Sequence, residues 1–337
     1  MKKWPSISII IPTLNRKNLL KRALLSLNSV DYPRNLLEVV VVSDGSTDGT
    51  EKMVEMIKKE LNYKFKFIKE KRKGISHAKN VAIKNSSGEI IVSTDDDCMF
   101  EKNWLKKLVE PFKEGGVGST GGPDRPYKKA KLFSVCANYA FTCFVGSGGV
   151  HGRPVPIKLG RFCPMGCNMA MRRKVLKKIG LFNEKIAPGE ETDLVYRMEK
   201  AGYKIVSVPK AFVWHRAIDN IKGFIRMIFR RGKARVVMVK RHGLVSDFIY
   251  FLPALMVGSL ILLLVASLFY PLFWQILTIL MEVYLLLLLS AGFSAFFHYR
   301  RLLCLLLVPI LIFIQHLTHG IGFLTGVGEH FWRKIVK

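Results

Sequence analysis

Three clusters in this 337-residue chain combine residue types that do chemistry. The most pointed is Asp95-Asp96-Asp97, which follows the apolar, β-branched run Glu89–Thr94 (EIIVST). Adjacent carboxylates at the carboxyl end of a buried strand repel one another strongly unless a cation lies between them. A hard divalent ion such as Mg²⁺ or Mn²⁺ takes oxygen ligands and commonly bridges to a diphosphate. The rival reading is a solvated acidic turn, which is hard to sustain in so basic a chain. The second cluster, Gly189-Glu190-Glu191-Thr192-Asp193, opens a helix-patterned segment. The helix dipole alone favours acids there, and a carboxylate so placed can also take a proton from an incoming hydroxyl. His215, in VWHR after a further strand, is either a structural histidine or a further metal ligand. The third cluster is a pair of polar turns after the first two strands, Pro12-Thr13-Leu14-Asn15-Arg16 and Asp44-Gly45-Ser46-Thr47-Asp48-Gly49-Thr50. Such turns present backbone N–H groups and side-chain acceptors to a nucleotide, although ordinary capping explains Ser46, Thr47 and Asp48 equally well. Neither turn matches a P-loop or GxGxxG pattern, so kinase and dehydrogenase readings lose their main support.

The elements that must position these residues alternate along the first hundred positions. Ser6–Ile11 and Glu38–Ser43 are β-branched strand runs, and Lys17–Leu27 and Thr47–Leu61 carry helical periodicity. Asp48 with Glu51 three residues on predicts a capping box at the second helix. Lys64–Lys69 alternates as a strand, Ser76–Lys84 reads as a helix, and Glu89–Thr94 is a buried strand. Strands alternating with helices imply right-handed crossovers and a mostly parallel sheet, with ligands at the carboxyl ends of its strands. From about Gly115 to Gly166 the pattern loosens into glycine, proline and basic residues, which predicts mobile loops around a strand near Val117. Order returns with Cys167–Arg172, helices at Lys174–Ile179 and Thr192–Ala201, and a strand at Lys204–Val208.

The chain carries 53 Lys plus Arg against 25 Asp plus Glu, a formal charge of +28, and is 50% hydrophobic, which excludes a disordered tail. Phe248 to Tyr270 and Leu302 to Gly328 hold no charged residue, and Pro271 to Phe297 only Glu282. Each run exceeds the roughly 18 residues that cross a bilayer. Just before the first run, Lys222, Arg226, Arg230, Arg231, Lys233, Arg235, Lys240 and Arg241 occur with no acid among them. Beside a membrane span, that is the cytoplasmic flank expected from the positive-inside rule, attractive to anionic lipid. The positive charge therefore points to a membrane surface, and no nucleic-acid partner is expected. The six cysteines show no CxxC pair or zinc spacing and fit a reducing compartment. The N-terminal apolar run is too short for a signal peptide.

Six segments occur together and in order: SIIIPTLNR, VVVVSDGSTDGT, KGISHAKNVAIKNSSGEIIVSTDDDC, GCNMAMRR, GEETDLVYRMEKAGYKI and VPKAFVWHR. On these the chain resembles the inverting family 2 glycosyltransferases, from about Ser6 to His215, with C-terminal spans as in membrane-bound members. The resemblance implies an α/β fold of the GT-A type, with a Rossmann-like, mostly parallel central sheet, over residues 1–220. A basic juxtamembrane helix at 221–246 and a transmembrane region at 247–337 would follow, with spans near 248–270, 274–297 and 303–326. It further implies that Pro12, Thr13, Asn15, Arg16, Asp44, Ser46 and Lys79 border the nucleotide sugar. Asp97 would be the direct ligand of a divalent cation (Mn²⁺ or Mg²⁺), with Asp95 and Asp96 near the ribose and diphosphate. Asp95 and His215 complete the expected metal set. Gly166, Asn168 and Trp104 would line the sugar and acceptor pocket, and Glu191 would be the base, with Glu190 and Asp193 as alternatives.

Three departures bear on these assignments. The family commonly has Glu-Asp where this chain has Glu190-Glu191; Ser43 stands where aspartate is frequent, and Lys79 where arginine is. The QxxRW motif of processive synthases is absent, which favours single-sugar transfer, and RMIFRRGKARV reads as an interfacial amphipathic helix. The expected activity is metal-dependent transfer from a UDP- or GDP-linked sugar to a lipid-linked acceptor such as polyprenyl phosphate. The enzyme would be multi-pass in the cell membrane, its catalytic domain on the cytoplasmic side. A processive synthase and a catalytically dead membrane scaffold are the rivals. Mid-span, Glu282 is costly unless paired or facing a polar cavity, and it is expected to pack against His316 or His319 or to face the lipid acceptor. A third full crossing would export the basic tail RKIVK, which the positive-inside rule disfavours, and the last span carries Gln315, His316 and His319, so it is alternatively re-entrant or interfacial.

Overall fold

Runs of β-branched residues buried along their whole length build the centre of the protein: Ile7–Thr13 (β1) and Leu37–Asp44 (β2) have every residue buried. A strand covered on both faces gains nothing from alternation, hence the unbroken Ile and Val runs. The computed structural model describes residues 4–149, 162–186, 188–216, 218–243 and 248–335. It divides into one unit of Met1–Lys128 with Phe162–Arg216, and a second of Lys129–Arg161 with Ala217–Lys337.

In the first unit, Lys17–Leu27 (α1) follows β1 and Thr50–Ile57 (α2) follows β2. Lys64–Glu70 (β3), Ile75–Lys84 (α3) and Ile90–Ser93 (β4) complete the alternating half. Cys98–Phe100 (β5), Trp104–Val109 (α4), Val117–Gly121 (β6) and Asp124–Pro126 (β7) come next. Leu132–Thr142 (α5) and Phe144–Ser147 (α6) belong to the second unit. The chain returns through Met169–Arg172 (β8), Arg173–Ile179 (α7), Glu190–Lys200 (α8), Lys204–Ser207 (β9) and Val213–His215 (β10). The main sheet has the order β3-β2-β1-β4-β8-β6-β9, parallel except that β8 runs antiparallel to both its neighbours. The reversal matters for the site. Because Met169 pairs with Ser93, the turn that leads into β8 lies at the carboxyl end of β4. A second sheet, β5-β10-β7, stands beside that end, with His215 opposite Cys98. The fold expected of the sequence, α/β with a mostly parallel sheet, is the fold observed.

Close backbone approach fixes the junction between the two sheets. A Cβ on Gly122 would lie 1.8 Å from the Ala211 carbonyl oxygen and 2.8 Å from Asn168 Nδ2. Gly122→Ala is therefore expected to destabilise the protein by about 1–3 kcal/mol through overpacking, read as a lower Tm in thermal denaturation.

Local expectations differed in two places. The capping box does not form: Gly49 takes a left-handed φ of 83° and the helix starts at Thr50. Asp48 accepts the Thr50 amide, while Glu51 turns to Lys69. The stretch from Gly115 to Gly166 is more ordered than its composition suggests, since it holds β6, β7, α5 and α6. Residues 150–161 lie outside the described residues.

The second unit continues with Ile221–His242 (α9), Phe248–Ser267 (α10), Pro271–Tyr299 (α11) and Cys304–Ile335 (α12). Three of these helices are long and apolar enough to cross a membrane, over Tyr250–Ser267, Pro271–Tyr299 and Cys304–His330. The expected pairing of Glu282 with His316 is not found: Glu282 is exposed, and Tyr284, two residues on, bonds His316 Nδ1 at 2.8 Å.

Candidate active site

The carboxyl end of β4 is tied down before the acids begin. Thr94 donates its hydroxyl to the Cys167 carbonyl at 2.8 Å, joining β4 to the turn Gly166–Asn168. The three aspartates then diverge. Asp96 accepts from Thr13 Oγ1 at 2.7 Å and from Arg16 at 3.1 Å. Asp97 Oδ2 lies 2.9 Å from Arg16, and its Oδ1 lies 3.0 Å from His215 Nε2. Asp95 Oδ2 is 3.9 Å from the same nitrogen. Burial pushes Asp96 up to about 6, against its bonds to Thr13 and Arg16. Burial also opposes the charge on Asp97, but His215 and Arg16 hold its carboxyl below the ordinary range.

Asp95, Asp97 and His215 offer ligand atoms that all lie within 4.8 Å of one another. Asp97 Oδ1 is buried and makes no hydrogen bond. Two carboxylates and an imidazole suit a hard divalent cation, leaving coordination positions for phosphate oxygens. Cys98 and Cys167 also approach His215. A hydrogen bond with Cys98 and burial push the Cys167 thiol well up, which disfavours the thiolate that a metal would need from this cysteine.

His215 is itself oriented. Its Nδ1 lies 3.1 Å from Asp124 Oδ2 on β7, which leaves Nε2 facing Asp97. A carboxylate behind a histidine fixes its ring and tautomer for metal binding. Burial alone would lower the His215 pKa, yet the Cys98 sulfur, Asp124 and Asp97 raise it well above the usual value. A metal must displace that proton, so apparent metal affinity is expected to rise with pH through this raised value. Asp124→Asn is expected to weaken Mn²⁺ binding about 10- to 100-fold. Loss of the free-Mn²⁺ electron paramagnetic resonance signal during titration measures this; unchanged affinity would refute the role.

The turns after β1 and β2 hold each other. Asn15, at a left-handed φ of 53°, donates its amide to Ser46 Oγ at 3.0 Å and accepts the Thr47 amide at 2.7 Å. Asp44 accepts the amides of Lys73 at 2.7 Å and Gly74 at 3.0 Å, which fastens the loop before α3 to the end of β2. Pro12 is buried within β1.

A second charged group lies beside the first, and Asp95 feels both His215 and Lys79. Lys79 on α3 is only 1% exposed, with its Nζ 2.6 Å from Glu191 Oε1 and 3.2 Å from Glu190 Oε1. It spends its charge on these acids rather than standing free for a donor. A Cβ on Gly166 would lie 2.0 Å from Glu191 Oε1, so this glycine makes room for the carboxylate. Burial raises Glu190; for Glu191 burial is outweighed by Lys79, which holds it ionised below its usual value. The side chains of Glu190 and Asp193 are 6% and 1% exposed, and that of Glu191 is 19%. Asp193 is committed to Arg197 at 2.9 Å, which in turn caps the carbonyls of Ile179, Gly180 and Leu181.

Trp104 and Asn168, expected at the pocket surface, are both 0% exposed. Trp104 Nε1 donates to Asn168 Oδ1 at 2.9 Å, and Asn168 Nδ2 donates to the carbonyls of Pro123 and Ala211. They brace the turn from behind. Sequence reasoning missed Asp124 and Tyr127, whose hydroxyl donates to the Asp97 carbonyl at 2.6 Å. Both lie in the Gly/Pro-rich stretch that carries no periodic signal.

Comparison with known proteins gives the family and the fold. The family model described as Glycosyl transferase family 2 matches residues 8–180. The probable glycosyltransferase YdaM of Bacillus subtilis is 30% identical over 272 residues, covering 74% of this chain and 62% of that protein. The chain therefore spans less than two thirds of that relative's length. A Methanococcus voltae protein is 24% identical over 95% of this chain and 97% of its own. It is named dolichyl N-acetyl-alpha-D-glucosaminyl phosphate 3-beta-D-2,3-diacetamido-2,3-dideoxy-beta-D-glucuronosyltransferase. Among solved structures, the mannosyltransferase PcManGT of Pyrobaculum calidifontis, in complex with GDP-Man and Mn²⁺, shares the fold with a TM-score of 0.68. It is 20% identical, covering 99% of this chain and 89% of its own.

Proposed function

The chain belongs to glycosyltransferase family 2 and is a glycosyltransferase, and we propose that it moves one sugar from a UDP- or GDP-linked donor to a lipid-linked acceptor, with inversion. The carrying observation is the pairing of a hard three-ligand set, Asp95, Asp97 and His215, with the partly exposed and ionised Glu191 across Asp95. Asp95, Asp97 and His215 would hold a divalent cation, which would supply positive charge against the departing nucleoside diphosphate. Arg16 adds a guanidinium to the same edge, and Thr13 holds Asp96 in place. Glu191 takes the proton of the acceptor hydroxyl, or positions an acceptor phosphate, while Lys79 keeps it charged until the acceptor arrives.

Support for a lipid-linked acceptor comes from the three apolar helices, the basic α9 and the dolichyl-linked substrate named for the Methanococcus relative. The basic segment before α10 favours placing the catalytic unit on the cytoplasmic face of the cell membrane. Absence of QxxRW supports one addition over polymerisation. The test is a panel of UDP- and GDP-sugars with polyprenyl phosphate and detergent-solubilised protein, with and without Mn²⁺. Metal-dependent release of one nucleotide with a single-sugar lipid product is expected. Nucleotide release with a long polymer would replace the reading by a processive synthase, and silence together with no nucleotide binding would replace it by a scaffold.

A further inference from the structure

The third long apolar helix has the composition of a span but not the neighbours of one. α12 starts by Cys136 of α5, whose sulfur is 3.7 Å from that of Cys304, and passes α6, where Gln315 donates to the Gly146 carbonyl at 2.6 Å. Its next turns are pressed onto α9. A Cβ on Gly322 would fall 2.4 Å from the Phe229 carbonyl oxygen, and one on Gly232 would fall 2.2 Å from the His319 carbonyl oxygen. Gly326 meets Lys233 and Val236, and Glu329 pairs with Lys233 at 2.5 Å. Backbones approach this closely only where small residues line the crossing. α9 carries Lys222, Arg226, Arg230, Lys240 and Arg241 on exposed positions, so it cannot lie in hydrocarbon. A helix held against α9 through residues 319–329 stays at the depth of α9.

The contacts with the other two long helices give the direction. α12 first runs back along α11: Gly292 meets Leu305 and Pro309, and Tyr284 meets His316. A crossing helix would then continue towards the α10–α11 turn near Tyr270. Instead Gly320 packs on Pro253 and Val257, and Phe323 on Phe251 with ring centroids 5.3 Å apart. As α12 advances, its partners on α10 retreat towards Phe248, the end that follows the basic helix. α11 has 29 residues, about 44 Å at 1.5 Å per residue, more than a hydrocarbon core of about 30 Å. Its last turns project beyond the core; the start of α12 accompanies them at Gly292, and by His316 it has come about 12 Å back along α11, to Tyr284.

We propose that only the α10–α11 hairpin crosses the membrane, and that α12 lies with α5, α6 and α9 as a layer seated on the headgroup region of an anionic bilayer. Leu306, Ile310, Phe313, Ile321, Leu324 and Val327 are exposed along α12 and enter the acyl boundary, while the exposed Lys and Arg of α9 reach lipid phosphates. Two crossings keep the basic loop at 298–301 and the end of α12 on the same face, which a third crossing would not.

Three single-cysteine additions to the full chain test this, since the six native cysteines are buried and the unmodified protein supplies the background. Leu268→Cys marks the α10–α11 turn, Leu302→Cys the α11–α12 turn, and Glu329→Cys the half-exposed position of α12 that meets Lys233 on the α9 side, away from the apolar face. Sealed membranes of each orientation are exposed to a membrane-impermeant maleimide. Glu329→Cys is expected to label from the same face as Leu302→Cys and opposite to Leu268→Cys. Labelling of Glu329→Cys with Leu268→Cys would overturn the proposal. So would protection of Glu329→Cys from both faces while the two turn variants react.

Discussion

Asp97→Asn is expected to lower kcat/KM by about a thousandfold, roughly 4 kcal/mol of transition-state stabilisation, the scale of losing the charge that holds a catalytic cation. Asp97 contributes twice at this point: Oδ1 faces His215 without a hydrogen bond, and Oδ2 holds Arg16. The amide is nearly isosteric, and Asp96 remains on Arg16 at 3.1 Å, so the fold survives and Tm changes little. Two measurements separate the causes. Mn²⁺ titration by electron paramagnetic resonance reads the cation, and steady-state transfer reads the chemistry. Asp96→Asn is the contrasting variant: its carboxylate serves Thr13 and Arg16, so it is expected to raise KM for the donor more than it weakens Mn²⁺. Turnover of Asp97→Asn within tenfold of the parent protein would remove Asp97 from the metal set.

The residues that such variants probe were legible in the sequence because strand ends are legible. An unbroken run such as Ile7–Ile11 or Ile90–Val92 can only be a strand covered on both faces, so the residues just after it must lie at the sheet edge where ligands collect. That logic reached Thr13, Arg16, Asp44 and the three aspartates. It stopped where position depends on long-range pairing. Asp124 meets His215 because β7 and β10 pair across a separation of about ninety residues, and nothing local in GGPDRP announces it. Likewise Trp104 and Asn168 read as pocket residues by resemblance, while their mutual bond and complete burial follow from how α4 packs under the β8 turn. Composition likewise left α12 open between a span and a re-entrant or interfacial helix, because hydropathy records how apolar a helix is and not what it packs against.

Glu191→Gln is expected to reduce kcat about 10²- to 10⁴-fold, the usual contribution of a positioned base, with donor and Mn²⁺ affinities unchanged. The three acids of the helix start make the assignment decidable, because each has a different neighbour. Asp193→Asn frees Arg197 from its partner and loosens three carbonyl contacts, so it lowers Tm but leaves turnover per folded molecule near the parent value. Glu190→Gln removes a nearly buried acid whose charge burial and Glu191 already disfavour, and Lys79 keeps its shorter contact to Glu191; a modest kinetic effect is expected. Lys79→Met is the severe structural variant: it strands the buried Glu190 and the partly exposed Glu191 without their cation, a change on the order of 3–5 kcal/mol in stability. Glu191→Asp restores the residue more frequent in the family and withdraws the carboxylate by one methylene from the 2.6 Å contact with Lys79. Partial activity in that variant, beside loss in Glu191→Gln, would place the essential charge at this position. Full activity in Glu191→Gln with loss in Glu190→Gln would move the base one residue back and make Glu191 the structural partner of Lys79.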